Sequence, residues 1–316
     1  MSALLEVCNL EKRFGPVRAV DGVSFTVDAG EVLALVGESG CGKSTTGRCL
    51  LRLIEPSAGE VRFQGEDVLQ LRGRGLREWR RHAQIVFQDP FSSLDPRMTA
   101  GQMIGEPLYV HRLCGRQEID GRVAELLERV GLTAADGRRY PHEFSGGQRQ
   151  RVAIARALAT GPQLVVADEP VAALDVSVQA QIINLMQDLQ QHTGVAYLFI
   201  SHNLALVSHL ADRVAVMYLG RIVELAPHEA LFRAPRHPYT EALIASIPVP
   251  DPTQRAARRL LAGEVPDARH IPAGCRFHPR CPHAFERCRA QEPPLLDCGS
   301  GQQAACWLVE ADTQAR

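Results

Sequence analysis

The chain has 316 residues, of which 45% are hydrophobic and 22% are charged, a composition that lets a chain of this length bury a sizeable core. Lys and Arg number 35 against 36 Asp and Glu, which gives a net charge of −1. This balance argues against a broad nucleic-acid or anionic-membrane surface, because both require a basic excess. We find neither a run of about 18 apolar residues, as a membrane helix needs, nor a signal segment. We therefore expect a cytoplasmic protein with mostly reduced cysteines.

Three apolar, β-branched runs predict the central strands: Val32–Val36, Leu164–Ala167 and Val195–Ile200. None alternates strictly between apolar and polar residues, which is typical of strands buried on both faces of a parallel sheet. A helical pattern follows Lys43, and a longer one follows Asp175 and stops at Gly194. This alternation of strand and helix predicts an α/β fold with a doubly wound, mostly parallel sheet.

The remaining segments differ in character from this core. Residues 4–27 and 59–65 predict short strands with turns, and residues 89–160 predict a helical insertion. Proline and cysteine become frequent after Phe232. We therefore predict a main domain at 1–232, with a helical subdomain at about 89–160, and a separate small Cys/Pro-rich extension at 233–316.

The segment Gly37–Thr45 satisfies the pattern G-x-x-x-x-G-K-[ST] between a predicted strand and a predicted helix. Its glycines allow backbone N–H groups to wrap phosphates at a helix N-terminus. We expect Lys43 to reach the β- and γ-phosphates of ATP and the Ser44 hydroxyl to bind Mg²⁺. The nucleotide-binding candidates of this loop are Gly37, Ser39, Gly40, Cys41, Gly42, Lys43, Ser44 and Thr45.

Polar residues end the predicted strands on the side where open α/β sheets bind ligands. Asp168 closes a buried strand, where a carboxylate is costly unless it serves a cation, so we expect it to hold Mg²⁺. Glu169 is placed to deprotonate the attacking water, and His202 to sense the γ-phosphate. Gln88 follows the short strand predicted at Gln84–Phe87, and we expect its amide to join the Mg²⁺ and water shell.

A second anion-binding helix end is predicted at Ser145. This residue is a good N-cap for a helix that runs to Leu158, and Gly146, Gly147 and Gln148 follow it. Because the loop at Gly37–Thr45 already forms one phosphate site, a second one predicts a nucleotide held between two subunits.

Cys41 lies in the phosphate loop near a helix N-terminus, where thiolates are favoured. This position predicts that alkylation of Cys41 blocks hydrolysis and that bound ATP protects the thiol. An inert loop position is the alternative.

These motifs together resemble the ATP-binding subunits of ABC transporters over essentially the whole chain. The resemblance implies a P-loop NTPase core with an N-terminal antiparallel β part, an adenine-stacking role for Phe14, and a D-loop at Ala172–Asp175 in which Asp175 contributes to the nucleotide site. It also implies Walker A at Gly37–Thr45, the Q-loop residue Gln88, the signature Ser145–Gln148, Walker B ending at Asp168, the catalytic base Glu169 and the switch residue His202.

A narrower resemblance, to the second ATPase subunit of oligopeptide/dipeptide uptake systems, rests on Phe87–Thr99, Pro170–Met186, His237–Pro252 and Gly274–Cys288. It implies a homologous second ATPase subunit (or a second copy), two transmembrane permease subunits and an extracytoplasmic solute-binding protein as partners. The chain would then lie at the cytoplasmic face of the bacterial plasma membrane and touch the membrane only through these partners. Nickel, glutathione and other small solutes remain alternative cargoes.

The C-terminal cysteines Cys275, Cys281, Cys288 and Cys306 could supply four thiolates, although their spacing is not the C-x₂-C pairing of common zinc sites. Similar extensions in the uptake subfamily can hold a [4Fe–4S] cluster, which the resemblance therefore implies here. Zinc and unligated thiols are the alternatives.

Two other function classes fit the sequence less well. A soluble ABC ATPase that acts on nucleic acid or ribosomes typically has two cassettes or a long coiled coil, whereas this chain has one cassette and no sustained heptads. A simple P-loop kinase or GTPase leaves Ser145–Gln148 and His202 unexplained.

Overall fold

The computed structural model describes residues 3–247 and 266–314. Pro248–Pro252, which end one of the segments quoted above, lie outside this part of the chain. The strands are β1 Leu5–Phe14, β2 Val17–Val27, β3 Val32–Val36, β4 Ala58–Phe63, β5 Glu66–Asp67, β6 Ala83–Val86, β7 Leu164–Asp168, β8 Ala196–Ser201, β9 Arg213–Tyr218, β10 Arg221–Pro227, β11 Leu296–Asp297 and β12 Gln303–Ala304.

The helices are α1 Lys43–Leu50, α2 Gly73–His82, α3 Pro90–Ser93, α4 Ala100–Val110, α5 Ile119–Arg129, α6 Gly146–Leu158, α7 Val176–Thr193, α8 Leu204–Leu210, α9 His228–Arg233, α10 Pro238–Ala245, α11 Glu286–Ala290 and α12 Trp307–Gln314. Across the described ranges, no helix combines the length and the apolarity that a membrane span requires.

The chain forms two compact units. We call residues 3–4, 27–31 and 66–200 the signature unit. Residues 5–26, 32–65, 201–247 and 266–314 form the phosphate-loop unit.

In the phosphate-loop unit, β9 is flanked by β3, which pairs with it in parallel, and by β10, which pairs with it antiparallel. All five residues of β3 are buried, which confirms the predicted strand Val32–Val36. A second sheet places β1 between β2 and β4. The expected short N-terminal strands are wrong in length, because β1 has 10 residues and β2 has 11. Most of their charged residues lie at exposed or half-buried positions of the strands, whereas Asp21 on β2 is buried.

In the signature unit, β7 pairs in parallel with β6 and β8. Every residue of β7 and β8 is buried, as their continuous apolar sequences predict. The predicted insertion at 89–160 contains α3 to α6. Within it, α5 contacts α4 and α6 and buries Val123, Leu126 and Leu127. Helix α7 ends where expected, with Gly194 as a left-handed C-cap at φ 68°.

A buried carboxylate ties the C-terminal extension to β10. Glu224 is fully buried and accepts hydrogen bonds from the backbone N–H of Arg236 at 2.8 Å, from that of His237 at 2.9 Å and from Gln302 Nε2 at 2.8 Å. Burial raises the pKa of Glu224, although these donors partly oppose the rise. Two parts of the extension, at residues 236–237 and at Gln302, are thus hydrogen-bonded to the same side chain, Glu224 of β10.

His237 caps α10 with an uncharged ring. Its Nδ1 accepts from the backbone N–H of Tyr239 at 3.0 Å, which requires an unprotonated nitrogen. Burial lowers the pKa of His237 to about 3. The unfolded chain, in which a histidine titrates near about 6.5, therefore binds a proton that the folded chain excludes.

We expect the stability of this protein to fall as the pH drops below about 6.5, because in that range the unfolded state binds more protons. His237→Asn keeps an acceptor for the cap and cannot titrate, so its melting temperature should change less between about pH 6.5 and pH 5. Thermal unfolding followed by circular dichroism measures both slopes. The exposed His270→Asn variant serves as the control and should keep the wild-type slope. A His237→Asn slope equal to that of the wild type would contradict this assignment.

Candidate active site

The phosphate loop joins β3 to α1 by a path that only glycine can follow. Gly37 has φ 151° and Gly42 has φ 110°. A Cβ on Gly37 would lie 2.2 Å from the carbonyl oxygen of Met217, and one on Gly42 would lie 2.0 Å from that of Ala19. Both glycines are thus required by backbone conformation and by close approach. Ser39 and Gly40 are exposed at the tip of the loop.

The loop is folded around its lysine. The buried Lys43 donates from Nζ to the carbonyl oxygens of Gly37 at 2.8 Å and Glu38 at 3.0 Å. Ser44 and Thr45 lie half-buried in the first turn of α1. The ammonium group of Lys43 thus ties down the first two residues of the loop, and α1 begins at the loop's end, as in a helix-N-terminal phosphate site.

Cys41 does not have the reactive thiolate that we expected from its place in the loop. Its side chain is 4% exposed. Burial raises the pKa of the thiol, and the nearby Lys43 opposes this rise only in part. The expectation is wrong because desolvation of the thiolate outweighs both the lysine charge and the helix N-terminus.

Phe14 and His202 present exposed side chains in the phosphate-loop unit. Phe14 ends β1 with 47% of its surface exposed, and Lys12 Nζ lies 4.9 Å from its ring centroid. His202 is exposed between β8 and α8, and the next residue, Asn203, caps α8 by accepting from Ala205 N at 3.0 Å.

In the signature unit, the end of β7 presents two carboxylates in different environments. Asp168 is 1% exposed, whereas Glu169 is half-buried. Glu169 has φ 47°, a left-handed conformation that is uncommon outside glycine, and its N–H donates to Ile200 O at 3.0 Å. Gln88 Nε2 donates to Glu169 Oε2 at 3.0 Å. The structure thus brings Gln88 and Glu169 together, and the backbone strain lies at the proposed base.

The helix predicted after Ser145 begins as expected. Ser145 Oγ accepts from Gln148 N at 3.3 Å, and Gln148 Oε1 accepts from Ser145 N at 3.1 Å, which is a complete capping box. A Cβ on Gly147 would lie 2.5 Å from Val178 Cγ1, and one on Gly146 would lie 3.3 Å from Leu174 Cδ2. The two glycines therefore let α6 pack against the D-loop and the start of α7.

Asp175 ends the D-loop and caps α7. Its carboxylate accepts from Val178 N at 3.1 Å and from Ser177 Oγ at 2.8 Å, and these hydrogen bonds lower its pKa. The close packing of Gly147 against Val178 could not be predicted from the sequence. There, Gly146 and Gly147 were assigned to anion binding alone.

Four of the five C-terminal cysteines, Cys275, Cys281, Cys288 and Cys306, line one cavity of about 10 Å³, close to the volume that one water molecule needs. Burial raises the pKa of Cys275 to about 11 and that of Cys306 to about 12, so these thiols are neutral at neutral pH. Within residues 3–247 and 266–314, no three His, Cys, Asp or Glu side chains are grouped so that they could hold a metal ion. The residues as placed do not fit the [4Fe–4S] cluster expected at Cys275, Cys281, Cys288 and Cys306.

Two contacts of the phosphate loop were missed in the sequence. The backbone N–H of Glu38 donates to the hydroxyl of Tyr239 at 2.9 Å, and Glu38 forms an ion pair with Arg280. Tyr239 lies in the His-Pro-Tyr segment and Arg280 lies beside Cys281. The sequence therefore drew attention to both segments but did not predict their contacts with Glu38.

We expect iodoacetamide to modify the exposed Cys8 well before the buried Cys41, with or without ATP, because alkylation needs an accessible thiolate. Peptide mass mapping of the folded chain over time measures both rates, and denaturant should make Cys41 reactive. Labelling of Cys41 at the rate of Cys8, or protection of Cys41 by ATP, would contradict this expectation.

Gly147→Ala should lower the free energy of unfolding by about 1–3 kcal/mol, because the new methyl group overlaps Val178. Val178→Ala in the same chain should restore part of the loss by removing the methyl group that it meets. Gly121→Ala is the matched control, because a Cβ there meets nothing within 4 Å. Chemical denaturation measures all three, and a neutral Gly147→Ala would show that the α6–α7 contact is not tight.

Two family models match the chain. The model described as ABC transporter matches residues 20–172, and the model described as oligopeptide/dipeptide transporter, C-terminal region, matches residues 223–288. The second match overlaps most of the extension that holds Tyr239 and Arg280.

Curated relatives are similar over nearly the full chain. A probable peptide ABC transporter ATP-binding protein of Sinorhizobium fredii is 59% identical over 290 residues, covering 92% of this chain and 82% of the relative. The oligopeptide transport ATP-binding protein AppF of Bacillus subtilis is 50% identical over 301 residues, covering 94% and 92%.

Solved structures show the same fold. CbiO1 of Clostridium perfringens, part of the transporter complex CbiONQ, superimposes with a TM-score of 0.67 at 29% identity, covering 74% of this chain and 92% of that one. An ATP-binding cassette solved as a dimer in a post-hydrolysis state with ADP and phosphate gives a TM-score of 0.65 at 28% identity, covering 71% and 98%. The α/β fold with its N-terminal antiparallel sheet is therefore confirmed, and the chain belongs to the ABC transporter family as one of its ATP-hydrolysing subunits.

Proposed function

We propose that this chain drives the uptake of di- and oligopeptides by hydrolysing ATP in a dimer of ATPase subunits beneath two membrane subunits. The observation that carries the proposal is the pair of anion-binding elements in one chain. Besides the phosphate loop, the signature helix begins with the exposed Ser145, whose capping box is the arrangement that a second phosphate would replace. Each nucleotide would then lie between the phosphate loop of one subunit and the signature of the other.

The chemistry is in-line attack of water on the γ-phosphorus of ATP. The new P–O bond forms as the bond to the β–γ bridging oxygen breaks, and the proton of the water passes to Glu169. Lys43 and His202 would stabilise the charge that develops on the transferred phosphoryl group, together with the partner's signature. Phe14 would stack on adenine.

Magnesium fits the donor set of the chain. Ser44, Gln88 and Asp168 offer hydroxyl, amide and carboxylate oxygens, which are the hard ligands that Mg²⁺ prefers. When bound, the ion neutralises charge on the β- and γ-phosphates. We include no iron–sulfur cluster in the proposal, because the thiols do not fit one.

The geometry of Glu169 supports its role as the base. Its left-handed backbone is held by the hydrogen bond to Ile200, and its carboxylate is held by Gln88. Gln88 directly precedes the helical insertion. A displacement of the insertion would therefore pull on the residue that orients the base, which is a route by which transport and hydrolysis could be linked.

The insertion offers a surface for the membrane subunits. Helices α4 and α5 line a groove of about 720 Å³ that includes Thr99, Glu106 and Tyr109. Tyr109 is 65% exposed, and Phe91 is 61% exposed with Arg149 stacked 4.0 Å from its ring centroid. We propose that this groove receives the membrane subunits, which would place the chain at the cytoplasmic face of the plasma membrane.

The peptide cargo rests on the names of the relatives and on the match of the C-terminal region. An extracytoplasmic binding protein would deliver the solute, so specificity would lie in subunits other than this one. We also propose that the chain divides into a nucleotide-binding domain at 1–232 and an oligopeptide-type extension at 233–316.

Glu169→Gln should lower kcat for ATP hydrolysis by about 10² to 10⁴-fold, which is the usual contribution of a general base. The assay uses the complex purified with its membrane subunits, with the binding protein and di- to pentapeptides added or left out. Glu60→Gln, an exposed carboxylate on β4, is the matched control and should keep full activity.

Peptides should raise the ATPase rate of the wild-type complex and not that of Glu169→Gln. Stimulation by nickel or glutathione in place of peptides would overturn the cargo and leave the ATPase intact. Full hydrolysis by Glu169→Gln would overturn the catalytic assignment itself.

A further inference from the structure

The C-terminal extension holds the second residue of the phosphate loop on both its backbone and its side chain. The hydroxyl of Tyr239 accepts from the backbone N–H of Glu38 at 2.9 Å. Arg280 grips the carboxylate with both terminal nitrogens, Nη1 to Oε2 at 2.7 Å and Nη2 to Oε1 at 3.0 Å. Such a bidentate pair fixes orientation as well as charge.

Both residues of the extension are themselves held rigidly. Tyr239 is fully buried, and the side chain of Arg280 is 6% exposed. The ring of Tyr239 lies 4.7 Å from that of Tyr218 and 5.4 Å from that of Phe277, and Phe277 lies 5.4 Å from Tyr218. The guanidinium of Arg280 lies 5.9 Å from the ring of Tyr218. Aromatic side chains packed in this way have little rotamer freedom, so the hydroxyl and the guanidinium are in place before any nucleotide arrives.

The position of Glu38 explains why such contacts matter. A carboxylate in a loop that binds a polyanion repels its ligand unless a cation neutralises it. Arg280 supplies that cation in a largely buried, and hence poorly screened, setting. The carbonyl oxygen of Glu38 also accepts from Lys43, so a shift of Glu38 would carry the phosphate-binding lysine with it.

We propose that Arg280 and Tyr239 are positioning residues for ATP binding, which act through Glu38 to preform the phosphate loop and to neutralise its one carboxylate. They touch neither the nucleotide nor the attacking water in this scheme. A loop that is already ordered loses less entropy when it binds its ligand, so loss of either contact weakens binding more than it slows chemistry. The inference rests on the proposed function, since it requires ATP at this loop.

The experiment measures the Kd for MgATP by equilibrium dialysis on the full-length chain carrying Glu169→Gln, so that no hydrolysis is needed. Arg280→Gln should raise Kd by about tenfold, the scale of one charge-assisted pair, and Tyr239→Phe by about threefold. Arg280→Lys, which keeps the charge but not the two-pronged contact, should lie between the parent and Arg280→Gln. The exposed Arg289→Gln, in the same extension, is the control and should leave Kd unchanged.

The double variant Glu38→Gln/Arg280→Gln tests whether Arg280 acts through Glu38. If Arg280 serves to neutralise and orient Glu38, the double variant should bind MgATP as tightly as Glu38→Gln alone, so that Arg280→Gln does no further harm once the carboxylate is gone. An effect of Arg280 on Kd that does not act through Glu38 would leave the two changes in Kd additive. A role in packing alone would already show in the single variant Arg280→Gln, as a lower melting temperature with an unchanged Kd of the folded fraction.

Two results would overturn the inference. One is an unchanged Kd in Arg280→Gln, Arg280→Lys and Tyr239→Phe, the latter two being conservative enough to fold. The other is full additivity in the double variant. Failure of the proposed function has a different signature, because the parent chain itself would then not bind MgATP.

Discussion

The phosphate loop must keep one backbone conformation, and contacts from neighbouring segments of the phosphate-loop unit hold it there. A loop that offers its N–H groups to an anion cannot use them to stabilise its own fold, so other contacts must fix it. Gly37 and Gly42 lie against the backbone at Met217 and Ala19. Gly220, in the turn between β9 and β10, donates to Cys41 O at 2.9 Å. Backbone from two different strands thus defines the loop before any ligand is present.

In the signature unit, the constraint is a strained backbone at Glu169, the proposed base. Glu169 has a left-handed backbone directly after the fully buried strand β7, and its N–H donates to Ile200 O on the buried strand β8. Gln88, in the segment between β6 and α3, donates to the carboxylate of Glu169. The orientation of the proposed base therefore depends on a residue just before the insertion, which is the basis of the proposed link between hydrolysis and movement of the insertion.

Features that depend on neighbouring residues in the sequence could be predicted. Features that depend on contacts between residues far apart in the chain could not. Val32–Val36 could be identified as a buried strand because burial on both faces requires continuous apolar residues. Ser145 and Gly194 could be identified as helix ends because capping is a local matter. The thiol of Cys41 could not be predicted correctly, since its burial comes from segments far away in the chain. Glu38 and Arg280 are 242 positions apart, and no local pattern marks such a pair.

The extension contacts the phosphate loop directly, through the hydrogen bonds of Tyr239 and Arg280 to Glu38. Arg276 and Arg280 lie next to Cys275 and Cys281 respectively. Arg276 pairs with Asp21 on β2 and donates to Leu219 O, whereas Arg280 pairs with Glu38. Burial alone would raise the pKa of Asp21, but Arg276 and its neighbouring arginines outweigh it and lower that pKa, so the carboxylate stays charged and bonded. Cys275, Cys281, Cys288 and Cys306 line a cavity of about 10 Å³, which is too small for a cluster. Glu224 on β10 accepts hydrogen bonds from this segment, and Glu38 in the phosphate loop is bonded to its Tyr239 and Arg280. The same segment is therefore fixed by the sheet and helps to fix the loop.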